Sequence, residues 1–325
     1  MKKAYFFIST LLLFLLSWIS LNSGVVKLHN VAGLLLGHGD PASVSIMQEI
    51  RGPRVFAAIL VGFILGVGGA LSQGALGNPL AEPVLLGTTG GAALFTLLGI
   101  SIFDASIGSP IAVTWGVLGA CLATYLTYLL GRKSKGGFAF IVIGIAVSAL
   151  LISCVGIAVV MINQPEARGI TFWSLGTLSM TTLSHVVMLV PVIFLLIIAM
   201  IKIAPNLDYL GIGDLRARHL GKNVPLIRFS TFLCIAISVG TVTSIFGQIS
   251  FLALAVPHIA RSLVGVKHRQ VLFLSGLVGA ILTVMSDLLA RTLSSPNELP
   301  IGFMTAIIGA PVLILAVRQW TRTHA

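Results

Sequence analysis

Three sets of residues in this chain are of types that contact charged partners, bind a substrate or relay protons. Arg51 and Arg54 bracket a Gly-Pro pair, a polar break reading NPLAEP occupies residues 78–83, and Asp287 precedes Arg291 by four positions. Guanidinium groups pair with carboxylates, and an intramembrane carboxylate can relay protons. All three sets lie in a strongly apolar chain, where such groups are costly and are expected only where they serve a purpose.

The composition indicates a polytopic membrane protein. The 325 residues are 57% hydrophobic and 9% charged, with a mean hydropathy of +1.06, whereas a soluble domain is about 25% charged. One span takes roughly 20 apolar residues, so the chain holds about ten spans and has no room for a soluble domain. We therefore predict an all-α fold that forms a single transmembrane domain over residues 1–325.

Ten apolar runs are predicted to be the helices that position the polar residues. The N-terminal run resembles a signal peptide but lacks a convincing small-residue cleavage site, so we expect a retained first helix. The eighth run is too short to cross a bilayer directly and is expected to be a partial or buried helix. Residues 24–50 are amphipathic and are predicted to lie on the outer surface. The predicted spans are 4–23, 54–74, 84–101, 110–131, 138–162, 183–203, 227–247, 251–264, 271–292 and 302–318.

The distribution of basic residues predicts that both termini lie in the cytoplasm. With the N-terminus inside, five of the 20 lysines and arginines fall outside and the other fifteen fall inside, as the positive-inside rule requires. The net charge of +11 therefore indicates membrane topology and contact with lipid, and we expect no nucleic-acid binding. The five outer residues are Lys27, Arg51, Arg54, Arg168 and Arg291.

Small residues repeat every four positions in the second predicted span, at Gly62, Gly66, Ala70 and Gly74. This spacing lines one helix face and lets another backbone approach closely. Helix packing is the expected role, and a position beside a translocation path is the alternative.

The break after this span is predicted to be a turn between the second and third spans. Two prolines four residues apart, Pro79 and Pro83, cannot lie inside a straight helix without losing hydrogen bonds. Asn78 and Glu82 are expected to satisfy the freed backbone groups. The alternative is that these polar side chains bind a substrate.

The longest predicted cytoplasmic connection, residues 204–225, is the candidate contact surface on the inner side. Residues 214–220 are predicted to form a short helix that Gly221 terminates. The basic residues of this loop are expected to contact either lipid headgroups or a soluble partner. Gly221-Lys222 is not a phosphate-binding loop, because Arg216 and Asn223 occupy the positions that need glycine and Ser/Thr. ATP and Mg²⁺ would therefore be bound by another subunit, and we expect no cofactor in this chain.

Asp287 and Arg291 are predicted to form an ion pair across one helical turn. An ion-coupled secondary transporter that uses Asp287 in a proton relay is the alternative from another functional class. His258, which follows Pro257, is expected to be hydrogen-bonded rather than catalytic. HExxH and GxSxG motifs are absent and the three cysteines have no metal-ligand spacing, so we predict no catalytic residues and no metal site.

Several motifs together resemble the FecCD-type permeases of type II ABC importers, which take up iron-siderophores, haem or cobalamin. The resemblance runs from about residue 51 to 317 and includes RGPR, GNPLAEPVLLGTTGG, LG…ARHLG, GQISFLALAVPHIARSLVG, DLLAR and ELPIGFMTAIIGAPVLILAV. It implies a homodimer or close heterodimer in the bacterial cytoplasmic membrane, two cytoplasmic ATPase subunits and an extracytoplasmic substrate-binding protein. The cargo expected from it is an iron-siderophore, with haem, cobalamin and molybdate-type oxyanions as alternatives.

The resemblance also implies roles for particular residues. The outer arginines Arg51, Arg54 and Arg291 would pair with carboxylates of the binding protein. Residues of the 204–225 loop would couple the ATPase to transport by alternating access; they are Leu210, Gly211, Asp214, Ala217, Leu220 and Gly221. The candidates for the path and its gate are Gly66, Gly136, Gly137, Phe138 and Trp173.

Overall fold

The computed structural model describes residues 2–132, 138–161, 164–295 and 297–324, and within these ranges all the regular structure is helical. The helices are α1 (Lys2–Asn22), α2 (Val31–Leu35), α3 (Pro41–Ser45), α4 (Gly52–Leu76), α5 (Thr88–Phe103), α6 (Pro110–Gly131), α7 (Phe138–Met161), α8 (Gln164–Ser174), α9 (Leu183–Lys202), α10 (Ala204–Leu210), α11 (Asp214–His219), α12 (Val224–Phe246), α13 (Leu252–Val264), α14 (His268–Thr292) and α15 (Ile301–His324).

The predicted spans are confirmed as helices. Among the described residues, seven helices are long and apolar enough to cross a membrane, and the shorter apolar helices Thr88–Phe103, Leu252–Val264 and Ile301–Ile314 bring the number to ten. Most of the edges lie within three residues of the prediction, because local signals set them. Ser109 caps α6 through the Ala112 amide, and Gly77 ends α4 with a φ of 60°.

Three helices, α4, α12 and α14, form the centre of the bundle and are largely buried, whereas α1 and α7 expose most of their apolar side chains. The most extensive contact is between α4 and α14. A Cβ added at Gly66 would lie well under 3.0 Å from the backbone oxygen of Ser275, and Gly62 meets Gly279 in the same way. The glycine ridge therefore packs helix against helix, as small residues do in membranes.

The chain enters the membrane again after α4. A Cβ at Gly68 would lie 4.0 Å from Cγ of Pro83, and Gly68 is eight residues from the inner end of α4. At 1.5 Å per residue this is about 12 Å of depth. The prediction of a simple turn at the inner surface is therefore wrong for its second half: Asn78 lies near the end of α4, but Pro83 lies about a third of the way along α4 from its inner end.

A second irregular segment lies at the same depth. The residue at the start of α13, Ala253, packs its backbone against Gly69, close to the middle of α4. The thirteen-residue α13 thus begins inside the bundle, as expected for a partial helix. Irregular backbone at membrane depth is tolerated only where protein surrounds it or where it lines a polar cavity.

The amphipathic segment before α4 contains only short helices, α2 and α3, and a π-helical turn at Ile46–Arg51 that runs directly into α4. Val31, Leu34 and Met47 form a small apolar cluster of their own. The segment therefore makes a compact cover at this end of the bundle, as expected from its mixed composition.

Candidate functional site

A buried network of charges closes the outer end of the bundle. The guanidinium group of Arg54 on α4 donates from Nε to Asp287 on α14 at 3.0 Å and forms two hydrogen bonds with Glu298, at 2.7 and 3.0 Å. The side chains of Arg54 and Asp287 are 9% and 1% exposed, whereas that of Glu298 is 34% exposed. One arginine therefore joins α4, α14 and the segment before α15.

The other two outer arginines extend this network to the end of α1. Arg291 lies 3.6 Å from Asp287, which confirms the predicted pair across one helical turn, and donates to the carbonyl of Ser23 at 2.8 Å. Arg51 donates to the carbonyl of Leu21 at 3.1 Å and to that of Val26. Arginine suits this role because its planar group carries five donors.

These contacts change the interpretation of the outer arginines. The prediction treated Arg51, Arg54 and Arg291 as groups presented to a partner, but Arg51 and Arg54 are only 6% and 8% exposed and all three are bonded within the chain. The network holds three guanidinium groups and two carboxylates, which leaves one positive charge. Sequence reasoning missed Glu298, whose only signal was an acidic residue in the ELPIG motif.

On the inner side, α10 and α11 form a short, firmly anchored element. Asp214 at the start of α11 receives two hydrogen bonds from Arg228 of α12, at 2.6 and 2.7 Å, and Arg228 also donates to the carbonyl of Ala75 at the end of α4. Asp208 of α10 accepts from His268 of α14, at 2.9 Å from its main-chain N and 2.7 Å from its ring. The element is thus tied to α4, α12 and α14.

The predicted coupling residues divide into anchors and surface groups. Ala217 and Leu210 are buried under the element, so they pack it against the bundle and cannot contact a partner directly. Leu220 is 57% exposed, and Gly211 and Gly221 lie on the exposed backbone. The predicted helix and its terminator are confirmed, since α11 ends at His219 and Gly221 has a φ of 74°.

Further apolar side chains of this element also face outward. Ile212 and Leu215 are exposed beside Leu220, and the exposed Arg216 and Arg218 flank them. An apolar patch with a basic rim is typical of a protein contact surface.

A polar cluster lies behind this element. Arg261 of α13 donates to the side chain of Gln73 on α4, and Gln73 donates to the carbonyl of Leu254 at 3.2 Å. His258 lies against the carbonyl of Pro79, and its Nε2 is buried without a partner among the described residues. His258, which follows Pro257, was expected to be hydrogen-bonded. One side of its ring has a partner, the carbonyl of Pro79, and Nε2 has none among the described residues.

The two residues that were predicted to support the polar break, Asn78 and Glu82, make different contacts. Asn78 accepts from the amide of Leu80 at 2.8 Å and so stabilises the turn, as expected. Glu82 precedes a 3-10 turn at Pro83–Leu86 without capping it through its side chain. Among the described residues its carboxylate has neither a hydrogen bond nor an ion pair, so the expected backbone role of Glu82 is wrong.

The candidate path and gate residues do not form one group. Gly136 and Gly137 lie outside the described residues, and Phe138 begins α7 with its side chain 75% exposed. Trp173, in the short helix α8, is buried and donates from its indole to the carbonyl of Ile245 at 3.2 Å. Gly66 lies in the contact between α4 and α14. No group of three His, Cys, Asp or Glu side chains with metal-binding geometry occurs in the part of the chain that the structure describes.

Comparison with known proteins identifies relatives along the whole chain. The sequence profile described as the FecCD transport family matches residues 9–319. The permease protein FecD of the Fe(3+) dicitrate transport system of Escherichia coli (strain K12) is 34% identical over 98% of this chain and 100% of its own length. The hemin transport permease HmuU of Yersinia pestis is 35% identical over 84% of each chain.

A solved structure agrees with this result. It is described as an inward-facing conformation of a metal-chelate type ABC transporter, and it matches with a TM-score of 0.84 and 29% identity over 98% of this chain and 100% of its own. The vitamin B12 import permease BtuC of Vibrio cholerae serotype O1 (strain ATCC 39315 / El Tor Inaba N16961) is 35% identical over 83% of this chain and 81% of its own.

Proposed function

Because this chain belongs to the FecCD transport family, we propose that it is the permease subunit of an ATP-driven importer that carries a metal chelate across the cytoplasmic membrane of a bacterium. The relatives are described as moving ferric dicitrate, hemin and vitamin B12, which are all bulky chelates. An iron-siderophore is the proposed cargo, and haem and cobalamin are the alternatives. Two copies of the chain would enclose the path and alternate its access between the two sides.

The observation that carries this proposal on structural grounds is the anchored element of α10 and α11. Its exposed Ile212, Leu215 and Leu220 offer a contact for a soluble subunit, and its hydrogen bonds and ion pairs reach three central helices. Two cytoplasmic ATPase subunits that bind ATP and Mg²⁺ would dock there. Movement of a docked subunit would be transmitted through Arg228 to α4 and α12, because a bidentate buried ion pair moves as a unit.

Uptake into proteoliposomes tests the proposal. The permease, with its ATPase and binding protein, is expected to accumulate a ferric siderophore only with ATP, and vanadate should abolish uptake. Leu220→Asp should reduce both the co-purified ATPase and the uptake rate about tenfold, which corresponds to about 1.4 kcal/mol of lost docking energy. Leu36→Asp is the matched control for ATPase binding, since Leu36 is 76% exposed in the outer segment and its replacement should leave the co-purified ATPase unchanged.

Uptake that proceeds without ATP and collapses with a proton or sodium ionophore would instead indicate the secondary transporter. The observed geometry gives that alternative no support at Asp287. Its carboxylate is held by Arg54 and Arg291 and is buried, so it serves as an ion-pair partner. Normal ATPase binding by Leu220→Asp would remove this surface from the mechanism.

The outer charge network is proposed to attract acidic residues of a substrate-binding protein. Arg51 is the most suitable residue for a test, because it bonds to carbonyl groups and its charge is not balanced by a carboxylate in the described contacts. Arg51→Gln keeps one donor for these carbonyls and should weaken docking several-fold at low salt, with the difference shrinking at high salt.

Docking is measured with the purified binding protein at two salt concentrations. Arg269→Gln, which removes an exposed arginine on the opposite side of the membrane, should bind like the unaltered protein. Equal affinity of the Arg51→Gln variant at low salt would contradict the docking role and leave the network with its structural role alone.

A further inference from the structure

The carboxylate of Glu82 lies in an unusual position for an acidic side chain. Glu82 is half-buried, and its neighbour Pro83 packs beside Gly68, about a third of the way along α4 from its inner end. In the described part of the chain no cation or hydrogen-bond donor reaches its carboxylate. By contrast, the buried carboxylate of Asp287 at the outer end of the bundle has two arginines. A single charge inside a membrane protein is costly unless something compensates it.

Glu82 borders a narrow cleft between α4, α5 and α12. Thr89, in the first turn of α5, lines the same cleft and is 6% exposed, and its hydroxyl has no partner among the described residues. Buried threonines such as Thr231 and Thr283 bond back to their own helix, whereas Thr89, like Thr96 on the same helix, does not. The free hydroxyl of Thr89 is therefore a second polar group in this cleft without a partner.

The rest of the lining supplies more oxygen atoms. Thr243 of α12 borders the cleft, as do Gly247 and Ile249, which lie in the irregular segment between α12 and α13. Unwound backbone beside a broken helix, together with side-chain oxygens, is the kind of site that holds small cations in membrane proteins. The start of α13 also borders the cleft at Ala253, but no amide of the described residues bonds to Glu82, so the helix end does not serve as its partner.

We propose that this cleft binds one monovalent cation, with Na⁺ as the ligand to test, and that Glu82 and Thr89 are two of its ligands. The available groups are carboxylate, hydroxyl and carbonyl oxygens, which favour hard cations over zinc or copper. One carboxylate balances one positive charge, whereas a divalent ion would normally draw on further carboxylates. The cation would stabilise the packing of the segment between α4 and α5, which contains Glu82, against α4, α5 and α12. This role goes beyond the proposed transport function.

Thermal unfolding of the purified full-length chain in nanodiscs tests the site without ATP, substrate or partner subunits. The midpoint is compared in chloride salts of Na⁺, Li⁺, K⁺ and choline at equal ionic strength. A bound cation stabilises the folded state by mass action, so Na⁺ should raise the midpoint over choline by about 2–4 °C. Binding of ²²Na⁺ should saturate near one equivalent per chain.

Two isosteric variants identify the ligands. Glu82→Gln should abolish the Na⁺ shift and the ²²Na⁺ binding, yet be at least as stable as the unaltered chain in choline, because an uncompensated charge is gone. Thr89→Val should weaken binding several-fold. Glu49→Gln is the control, since Glu49 is an exposed residue of the outer segment, and it should keep the full shift.

Three results would each overturn the proposal. One is an unfolding midpoint that no cation raises above its value in choline. Another is a Na⁺ shift that survives in Glu82→Gln. The third is an infrared carbonyl band of a protonated carboxyl group in Na⁺ buffer that disappears in Glu82→Gln, because a protonated Glu82 needs no cation.

Discussion

Replacing Asp287 by asparagine is expected to lower the free energy of unfolding by about 3–5 kcal/mol, because the change leaves Arg54 and Arg291 buried without their shared carboxylate. The side chain keeps its size, so packing is preserved and the charge is the main variable. Glu298→Gln should have a smaller effect of about 1 kcal/mol, since Glu298 is partly exposed and water can replace it. Unfolding followed in detergent by heat or denaturant measures both.

Asp104→Asn is the matched control for the loss of one carboxylate. Asp104 is exposed and has a φ of 49°, which asparagine also tolerates, so its stability should stay within about 0.5 kcal/mol of the unaltered chain. If Asp287→Asn behaved like this control, the outer network would have no structural role, and its arginines would be free for a partner.

Gly66→Ala is expected to destabilise the bundle by about 1–3 kcal/mol although it adds a single methyl group. The added carbon would meet the backbone oxygen of Ser275, which cannot move away as a side chain could. The contact between α4 and α14 would have to open, and this is the most extensive helix contact in the chain. The expected signs are a lower unfolding midpoint and a smaller yield of monodisperse protein.

Gly156→Ala makes the same substitution in a helix where an added Cβ meets nothing within 4 Å. It should be neutral or slightly stabilising, because alanine favours helix more than glycine does. Equal stability of Gly66→Ala and Gly156→Ala in the isolated subunit would show that α4 and α14 are free to separate. It would also restore the interpretation that places Gly66 beside the path.

Much of the architecture was predictable from the sequence, since the signals of a span are local. Each run of apolar residues has to satisfy its own backbone hydrogen bonds in lipid, so composition alone locates the helix. The α11 helix with its stop at Gly221 and the pair of Asp287 with Arg291 were predictable for the same reason, because their members are close in sequence. The 3-10 turn at Pro83–Leu86 shifted the start of α5 by four residues, which apolar composition does not signal.

Partners distant in sequence were not predictable. Arg54 forms a hydrogen bond with Glu298, which lies 244 positions away in the sequence. Arg228 donates both to Asp214 and to the carbonyl of Ala75 at the end of α4. A charge in an apolar run indicates that some partner exists, but the partner depends on which helices pack together. The prediction paired Arg291 with Asp287 but placed the carboxylates that Arg54 needs on another protein, whereas the chain supplies Asp287 and Glu298 for it.

The sequence by itself determined that this is an all-helical membrane protein, where its helices lie and which family its motifs resemble, because hydropathy, helix signals and motif order are properties of neighbouring residues. Only the tertiary structure decided that Ala217 is an anchor rather than a contact, that Arg51 and Arg54 are buried, and that the segment after α4 packs back against that helix at Pro83. Burial and depth arise when separate helices pack, and glycine contacts such as that of Gly66 set how closely they do so.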